Sequence, residues 1–262
     1  MDESNRSGIE DLDTLVNMLK MAFAFENWDK IIELSEDLLS LVSLNGNGTL
    51  KSNRTRSLVY YYGYGHMMKG QALTKLRQYD RARACIAEYA ELDRYGNLDE
   101  HDLEEVEYYR FMATAHLFEI NMLSGHTEVL GDYVSFLQEN PFEVLPGLTT
   151  IVEAAHEHGL NVDSILEQFS AQIREFGNTE EAADLTAYHF FLLELANYQI
   201  SRDEQGAAAE NILTVLEAAE NMENQSNFRK CAALFELIRD SASPAQKERY
   251  RGMMRAVVEK EL

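Results

Sequence analysis

Apolar residues recur at helical spacing along most of this chain. In residues 9–26 they lie at Leu12, Leu15, Val16 and Leu19, three or four positions apart, and similar runs continue to the C-terminus. Short segments rich in Asn, Asp, Gly and Ser separate the runs, and no segment alternates apolar and polar residues as a strand would. The pattern predicts an all-α protein of about a dozen helices, arranged as six antiparallel pairs.

Capping patterns and breaker residues place the boundaries of these pairs. Ser243 to Gln246 combine an N-cap, a proline at the first helical position and a capping-box glutamine. Asp102 with Glu105 indicates a second capping box. The six predicted pairs span about 9–42, 58–92, 103–137, 146–176, 179–222 and 226–261, with a flexible N-terminus at 1–8 and a loop at 43–57.

Residues 58–92 indicate how the two helices of a pair pack. Gly70 lies on the first helix, Tyr79 at the turn and Ala82 near the start of the second helix. This spacing fits the tetratricopeptide unit, in which a small residue lets two helices approach and an aromatic residue fills the turn. One such unit cannot bury its apolar face by itself, so it implies a stack of helix pairs. We therefore predict a right-handed, tetratricopeptide-like α-solenoid that forms a single domain over 1–262.

Three segments resemble the helical C-terminal region of bacterial helix-turn-helix transcriptional regulators, as found in bacilli and their relatives. They are residues 56–92, 98–125 and 144–169. More distantly, the chain is similar to the tetratricopeptide sensor domains of quorum-sensing peptide receptors, including the response-regulator aspartate phosphatases. The resemblance implies a helical stack that binds peptides. In those regulators a DNA-reading domain precedes the stack, whereas here a short acidic stretch leads directly into the first helix, so no helix-turn-helix domain is predicted.

The charge of the chain narrows the class of partner. Among 262 residues, 23 are Lys or Arg and 45 are Asp or Glu, which leaves a net charge of −22. This charge repels phosphate and argues against direct binding to nucleic acid or to an anionic membrane. We therefore expect a peptide or protein partner that is neutral or cationic.

Cysteine use and the N-terminal sequence indicate the compartment. Cys85 and Cys231 lie far apart in no CxxC spacing, so we interpret both as reduced residues on helices. The N-terminus is acidic and polar, unlike a secretory signal, and no uncharged apolar run reaches the ~18–20 residues of a membrane helix. The chain is predicted to be soluble and cytoplasmic, without a membrane partner.

The predicted turns also assign side chains to a concave groove, because the first helices of the pairs line this groove in tetratricopeptide stacks. Counted back from the turn of each pair, the predicted groove residues are Tyr64, Met67 and Gln71 in the second pair, Met112 and Glu119 in the third, and His189 and Gln199 in the fifth. Glutamine would bond a peptide backbone, tyrosine and methionine would form side-chain pockets, and glutamate would anchor a basic group. The alternative is that any one of these residues belongs to the core.

Motifs for metal binding and catalysis are weak in this sequence. The acidic run from Asp99 to Glu107 matches no calcium-binding loop and is better explained as a helix N-terminus. His156 and His158 are two positions apart, so on a helix they point to different faces, unlike a zinc-binding pair. Because no nucleophile elbow, P-loop or dinucleotide turn is present either, the sequence predicts no metal, no cofactor and no enzymatic activity.

The predicted function is a regulatory binding module that senses a short peptide or protein segment in its concave groove. Such a module would belong to a bacterial transcriptional regulator or act as a stand-alone sensor. The first alternative is a constitutive scaffold for protein–protein interaction, and a phosphatase or other hydrolase is a more remote one. The resemblance also allows a homodimer, because related regulators act as dimers and terminal repeats leave apolar ends.

Overall fold

The computed structural model describes residues 11–46, 56–95, 98–179, 181–221 and 225–260. Within these ranges every regular element is helical and no strand occurs, which confirms the predicted all-α class. The α-helices of the described chain are α1 (Leu12–Ala24), α2 (Trp28–Gly46), α3 (Leu58–Lys75), α4 (Tyr79–Ala90), α5 (Glu100–Leu123), α6 (Leu130–Glu139), α7 (Val144–His158), α8 (Asp163–Gln168), α9 (Ser170–Phe176), α10 (Ala182–Ser201), α11 (Gln205–Asn221), α12 (Gln225–Ile238) and α13 (Pro244–Lys260). Among these described helices, none combines the length and the apolar character that crossing a membrane requires.

The helices divide into two compact units, and the division falls between Ser124 and Gly125. In the first unit α1 packs against α2, α3 packs against α2 and α4, and α5 packs against both α3 and α4. In the second unit α10 packs against α7 and α11, and α11 packs against α12 and α13. The single right-handed solenoid over 1–262 stays a prediction.

Helix α3 lies at the centre of the first unit because apolar residues cover most of its surface. A buried cluster on one side joins it to α1 and α2 and includes Leu19, Leu38 and Tyr61. A second cluster joins α3 to α4 and α5 and includes Leu73 and Ile86. Burying a side chain of this size contributes about 1.5–3 kcal/mol. Helix α3 is therefore held in place from both sides.

Three connections between successive helices use the same left-handed turn. Glu26, Arg77 and Asp203 have positive φ angles of 52°, 58° and 62°, just beyond the ends of α1, α3 and α10. In each turn the next amide donates to a carbonyl in the last turn of the helix, at 2.9, 2.8 and 2.8 Å respectively. This is the Schellman motif, which satisfies carbonyl groups that a helix end leaves free. The sequence predicts turns at 26–29, at Tyr79 and near Arg202 and Asp203, although none of the three left-handed positions has the glycine that this motif usually prefers.

Capping interactions confirm one predicted helix start and correct another. The Ser243 hydroxyl accepts from the amide of Gln246 at 3.2 Å, and Gln246 Oε1 accepts from the amide of Ser243 at 2.9 Å, so the predicted capping box of α13 is confirmed. The predicted box of Asp102 with Glu105 is wrong. Asp99 and Asp102 form the box instead, because α5 begins at Glu100, earlier than the apolar pattern indicates.

The loop predicted at 43–57 begins later than expected. Helix α2 continues to Gly46, since the buried Val42 extends its apolar stripe. Helix α3 then starts behind Ser57, whose hydroxyl accepts from the amide of Tyr60 at 3.2 Å. The rest of the predicted loop, 47–55, and the predicted flexible N-terminus, 1–8, lie outside the described residues.

The second unit has its own core, centred on α10. Phe191 and Leu193 are buried there, and the Tyr198 hydroxyl donates to Asp163 at 2.6 Å, which ties α10 to the start of α8. Cys231 on α12 is a buried free thiol, and burial raises its pKa to about 11. A thiol in such an environment behaves as a small apolar residue, as the sequence predicts for both cysteines.

Candidate binding site between helices α3 and α5

The tyrosines near the start of α3 contact three different neighbours. Tyr61 is buried against α1, and its hydroxyl donates to a carboxylate on that helix at 2.6 Å. Tyr62 donates to Glu88 on α4 at 2.9 Å. Tyr60 and Tyr64 remain, one helical turn apart, and both line a cleft between α3 and α5. Placing tyrosines on several sides of one helix therefore serves packing on two sides and lines a cleft on the third, where Tyr60 is buried and Tyr64 is partly exposed.

Tyr60 and Tyr64 form one wall of this cleft. Their rings are stacked, with centroids 5.7 Å apart and planes inclined by 13°. The cleft encloses about 300 Å³ and is lined by Arg56, Tyr60, Tyr64, Met67, Glu105, Tyr108 and Tyr109. Burial raises the pKa of Tyr64 to about 12, so its hydroxyl keeps its proton at neutral pH and can donate a hydrogen bond.

Tyr108 and Tyr109 on α5 form the opposite wall. Tyr109 is fully buried, and its hydroxyl donates to the backbone carbonyl of Tyr60 at 3.0 Å. Tyr108 meets it edge to face, with centroids 5.2 Å apart, and is 49% exposed. The close approach of the two helices requires Gly63, because a Cβ there would lie 2.4 Å from Cε2 of Tyr109. The shape of the cleft thus depends on one glycine and one buried ring.

Two charged side chains lie in the cleft without forming an ion pair. The guanidinium of Arg56 lies over the ring of Tyr60, 4.2 Å from its centroid, which is cation–π geometry. Glu105 is partly buried, and this burial raises the pKa of its carboxyl group. Within the described residues Glu105 has neither an ion pair nor a hydrogen bond. The cleft therefore combines aromatic faces, one cation and one unpaired carboxylate.

The other end of α3 forms a closed polar cluster. Nε2 of Gln71 lies 3.2 Å from Nε2 of His116, and the hydroxyl of Tyr89 lies 2.6 Å from Nδ1 of the same ring. These contacts join α3, α5 and α4 in their shared core. Burial lowers the pKa of His116, so the ring is neutral at physiological pH and has a partner at each nitrogen. Gln71, a predicted groove residue, is therefore already engaged inside the protein.

The two groove residues predicted on α5 do not line the cleft. Met112 packs against the core shared by α3, α4 and α5. Glu119 is partly buried, and its charge raises the pKa of His116 against the larger effect of burial. Of the predicted groove residues in the first unit, the cleft brings together Tyr64 and Met67.

The two groove residues predicted on α10 belong to the second unit. His189 is buried there, and burial lowers its pKa. Gln199 is partly buried, and its Oε1 accepts from Nδ2 of Asn211 on α11 at 2.8 Å. Both side chains therefore contribute to packing within their own unit, which is the core alternative weighed for every predicted groove residue.

Sequence interpretation did not assign most of the cleft lining to a site. The sequence predicts a capping role for Glu105 and does not distinguish Tyr60, Tyr108 and Tyr109 from packing residues. A usable signal does exist. Two tyrosines one helical turn apart on α3, together with two adjacent tyrosines on α5, exceed what a core normally contains, since a buried tyrosine needs a partner for its hydroxyl.

The lining of the cleft is mostly aromatic and carries two charged side chains. This lining includes no serine, threonine, cysteine or histidine, so no serine, threonine or cysteine nucleophile stands beside a histidine base there. Elsewhere in the described chain, no group of three or more His, Cys, Asp or Glu residues is arranged to hold a metal ion. Comparisons with protein-family models, with curated proteins and with solved structures gave no match. Function is therefore inferred from the geometry of the cleft.

Proposed function

We propose that this chain is a regulatory binding module that holds a short peptide or protein segment in the cleft between α3 and α5. The observation that carries the proposal is the open cavity of about 300 Å³ with four tyrosines in its lining. This volume lies at the lower end of the range for ligand pockets and suits one or two side chains. Tyrosine supplies a large apolar area and a polar end with few rotatable bonds, which favours recognition of peptides.

The proposal includes a right-handed tetratricopeptide-like solenoid of antiparallel pairs, in which α1, α3 and α5 are the first helices of successive pairs. The identical turns at Glu26 and Arg77 support a repeated unit. A cleft between α3 and α5 is where a groove lined by first helices is expected. The resemblance to the sensor regions of bacterial regulators supports a module that acts in the cytoplasm, as a monomer or homodimer. Ligand binding is proposed to change the curvature of the helix stack, and this change is the signal.

The first test is to identify the ligand and to map it to the cleft. Purified protein is exposed to extract and spent medium of its host, and native mass spectrometry then detects bound species. A peptide or a folded protein that binds wild type is tested against Tyr108→Ser, which removes a half-exposed wall of the cleft. Phe142→Ser is the matched control, because Phe142 is 66% exposed and does not line the cleft. Equal binding to both variants would show that the cleft is not the site.

A constitutive scaffold is the second candidate, and exposed apolar residues favour it. Met21 and Phe25 lie at the end of α1 and are 62% and 79% exposed. Neighbouring exposed apolar residues often mark a protein-binding surface. Small-angle scattering separates the two candidates, because a sensor changes its curvature when its ligand binds, whereas a scaffold gives the same scattering profile with and without its partner.

A further inference from the structure

The contact between Arg56 and Tyr60 indicates which chemical group the aromatic wall attracts. The guanidinium lies over the face of the ring, where the π-electrons make the potential negative. Tyr64 continues the same wall one turn further along α3 and lines the same cavity. A wall that already holds one guanidinium by this contact is suited to another planar cation.

Glu105 supplies the complementary charge on the opposite side of the cavity. Its carboxylate is partly withdrawn from water and has no ion pair or hydrogen bond within the described residues. A carboxylate without a direct partner in such a position is unfavourable, because the attraction of His101 and Arg56 only partly offsets the lost hydration. A cation that enters the cleft removes this penalty, and an anion would increase it.

The surrounding charge favours a cation as well. The whole chain carries a net charge of −22, and Asp102 and Glu104 on α5 lie near enough to Glu105 to raise the pKa of its carboxyl group. Such a field raises the local concentration of cationic ligands and speeds their association. For an anionic ligand, Arg56 would be the attractive residue in a strongly acidic environment.

We propose that the cleft recognises an arginine side chain of the bound segment, with the guanidinium paired to Glu105 and stacked on the tyrosine wall. Arg56 then acts as an internal competitor, because it covers Tyr60 in the absence of ligand and carries the same charge. Arginine fits better than lysine, since its planar group stacks on aromatic rings and can give a carboxylate two hydrogen bonds. This inference rests on the proposed function, because it specifies what the same cleft binds.

The test uses the full chain and requires no known ligand. A phage-displayed library of random heptapeptides is selected against wild type and against Glu105→Gln, Glu104→Gln, Arg56→Gln and Tyr108→Ser. Glu104→Gln is the matched control, because it makes the same charge change one residue away, on a side chain that is 77% exposed. The leading peptide is then synthesised with arginine and with citrulline, which keeps the shape but not the charge, and both dissociation constants are measured by fluorescence anisotropy.

We expect arginine to be enriched at one peptide position, and citrulline there to weaken binding to wild type about tenfold. Glu105→Gln should reduce this difference to about twofold or less, whereas Glu104→Gln should preserve it. Arg56→Gln should bind the arginine peptide about threefold more tightly, because the competitor is gone.

The outcomes separate this inference from the proposed function. Peptides that need Tyr108 but bind equally with arginine and citrulline would overturn arginine recognition and leave the binding module intact. Enrichment of acidic peptides, or weaker binding to Arg56→Gln, would show that the cleft prefers anions. Peptides that bind Tyr108→Ser as well as wild type, or a library without binders, would contradict both proposals.

Discussion

The two ends of helix α3 meet helix α5 in opposite ways. At the N-terminal end, Tyr60 and Tyr64 line an open cleft in which the carboxylate of Glu105 has no partner within the described residues. At the C-terminal end, Gln71 and a buried tyrosine close around His116, and both nitrogens of its ring are bonded. Satisfied polar groups stabilise a fold, whereas unsatisfied ones reduce stability and persist where a ligand supplies the missing contact.

This difference separates two roles for polar residues within one helix pair. Removing a polar group from the closed end should destabilise the protein, because the groups that it bonded stay buried and lose their hydrogen bonds. Removing one from the open end should leave stability unchanged or raise it, and should alter binding instead. Four pairs of variants test this contrast.

The largest effect is expected where α3 and α5 approach most closely. Gly63→Ala would place a Cβ 2.4 Å from the ring of Tyr109, so the helices must separate and the core that supports both ends must shift. We expect the free energy of unfolding to fall by about 2–3 kcal/mol, despite the better helix propensity of alanine.

Gly252→Ala is the matched control for this change. It replaces a helical glycine that has no atom within 4 Å of the added Cβ, so it should stabilise by about 0.5–1 kcal/mol. Urea unfolding followed by circular dichroism measures both variants. If Gly63→Ala unfolds at the same urea concentration as Gly252→Ala, the close contact between the helices does not exist.

The next effect compares one hydroxyl from each end. Tyr89→Phe leaves Nδ1 of the buried His116 without its partner at 2.6 Å, so we expect a loss of about 1–2 kcal/mol in unfolding free energy. Tyr64→Phe removes a hydroxyl that has no hydrogen bond within the described residues, and stability should change by less than about 0.5 kcal/mol. Equal losses in chemical denaturation would remove the distinction between a closed end and an open end.

The helices could be predicted from sequence because their signals are local. Apolar spacing identifies each run, and the capping box at Ser243 requires contacts only with the following turn. The turn at Asp203 is equally local, since it closes through hydrogen bonds to the preceding helix. These elements can therefore be predicted without knowledge of how the helices pack.

The cleft could not be predicted because its walls come from helices that are distant in sequence. The sequence predicts Tyr64 in a groove from its distance to the turn at Tyr79, and the structure has Tyr64 in the lining of the cleft. The sequence does not predict Glu105 in a site, because a cap is the nearest role that the local pattern offers. In the structure Asp102 takes the capping-box position predicted for Glu105, and Asp99 is the N-cap. His116 looks isolated along the chain, and its two partners lie on other helices.

A smaller effect is expected in the pH dependence of the unfolding free energy, where variants of His66 and His116 should differ. His66 on α3 lies beside Tyr62, its buried Nδ1 has no partner within the described residues, and burial lowers its pKa from 6.5 to about 4. The folded state thus binds this proton less readily than the unfolded state does. Stability is therefore fully present above about pH 6.5 and is lost as the pH falls toward 4.

His66→Leu should remove that loss. At pH 7.5 the variant should be at least as stable as wild type, because no partner is left unpaired. At pH 5 its advantage should grow by about 1 kcal/mol, less than full burial would give because the ring retains some contact with water. His116→Leu is the contrasting variant and should be less stable than wild type at both pH values. An unchanged pH dependence in His66→Leu, measured by urea unfolding, would show that His66 is ordinarily solvated.

The smallest effect concerns the unpaired carboxylate of the cleft. Burial raises the pKa of Glu105, so the folded state holds its proton more tightly than the unfolded state does, and stability is lost as the pH rises through that pKa. Glu105→Gln should therefore stabilise the protein at pH 7 by only a few tenths of a kcal/mol, because solvent still screens the partly exposed group, and by nothing at pH 3. Thermal unfolding of wild type, Glu105→Gln and the control Glu104→Gln at both pH values measures this gain. If Glu105→Gln stabilises the protein and also weakens binding of an arginine peptide, the carboxylate serves binding at a cost in stability. If Glu105→Gln destabilises the protein, the carboxylate supports the fold as His116 does.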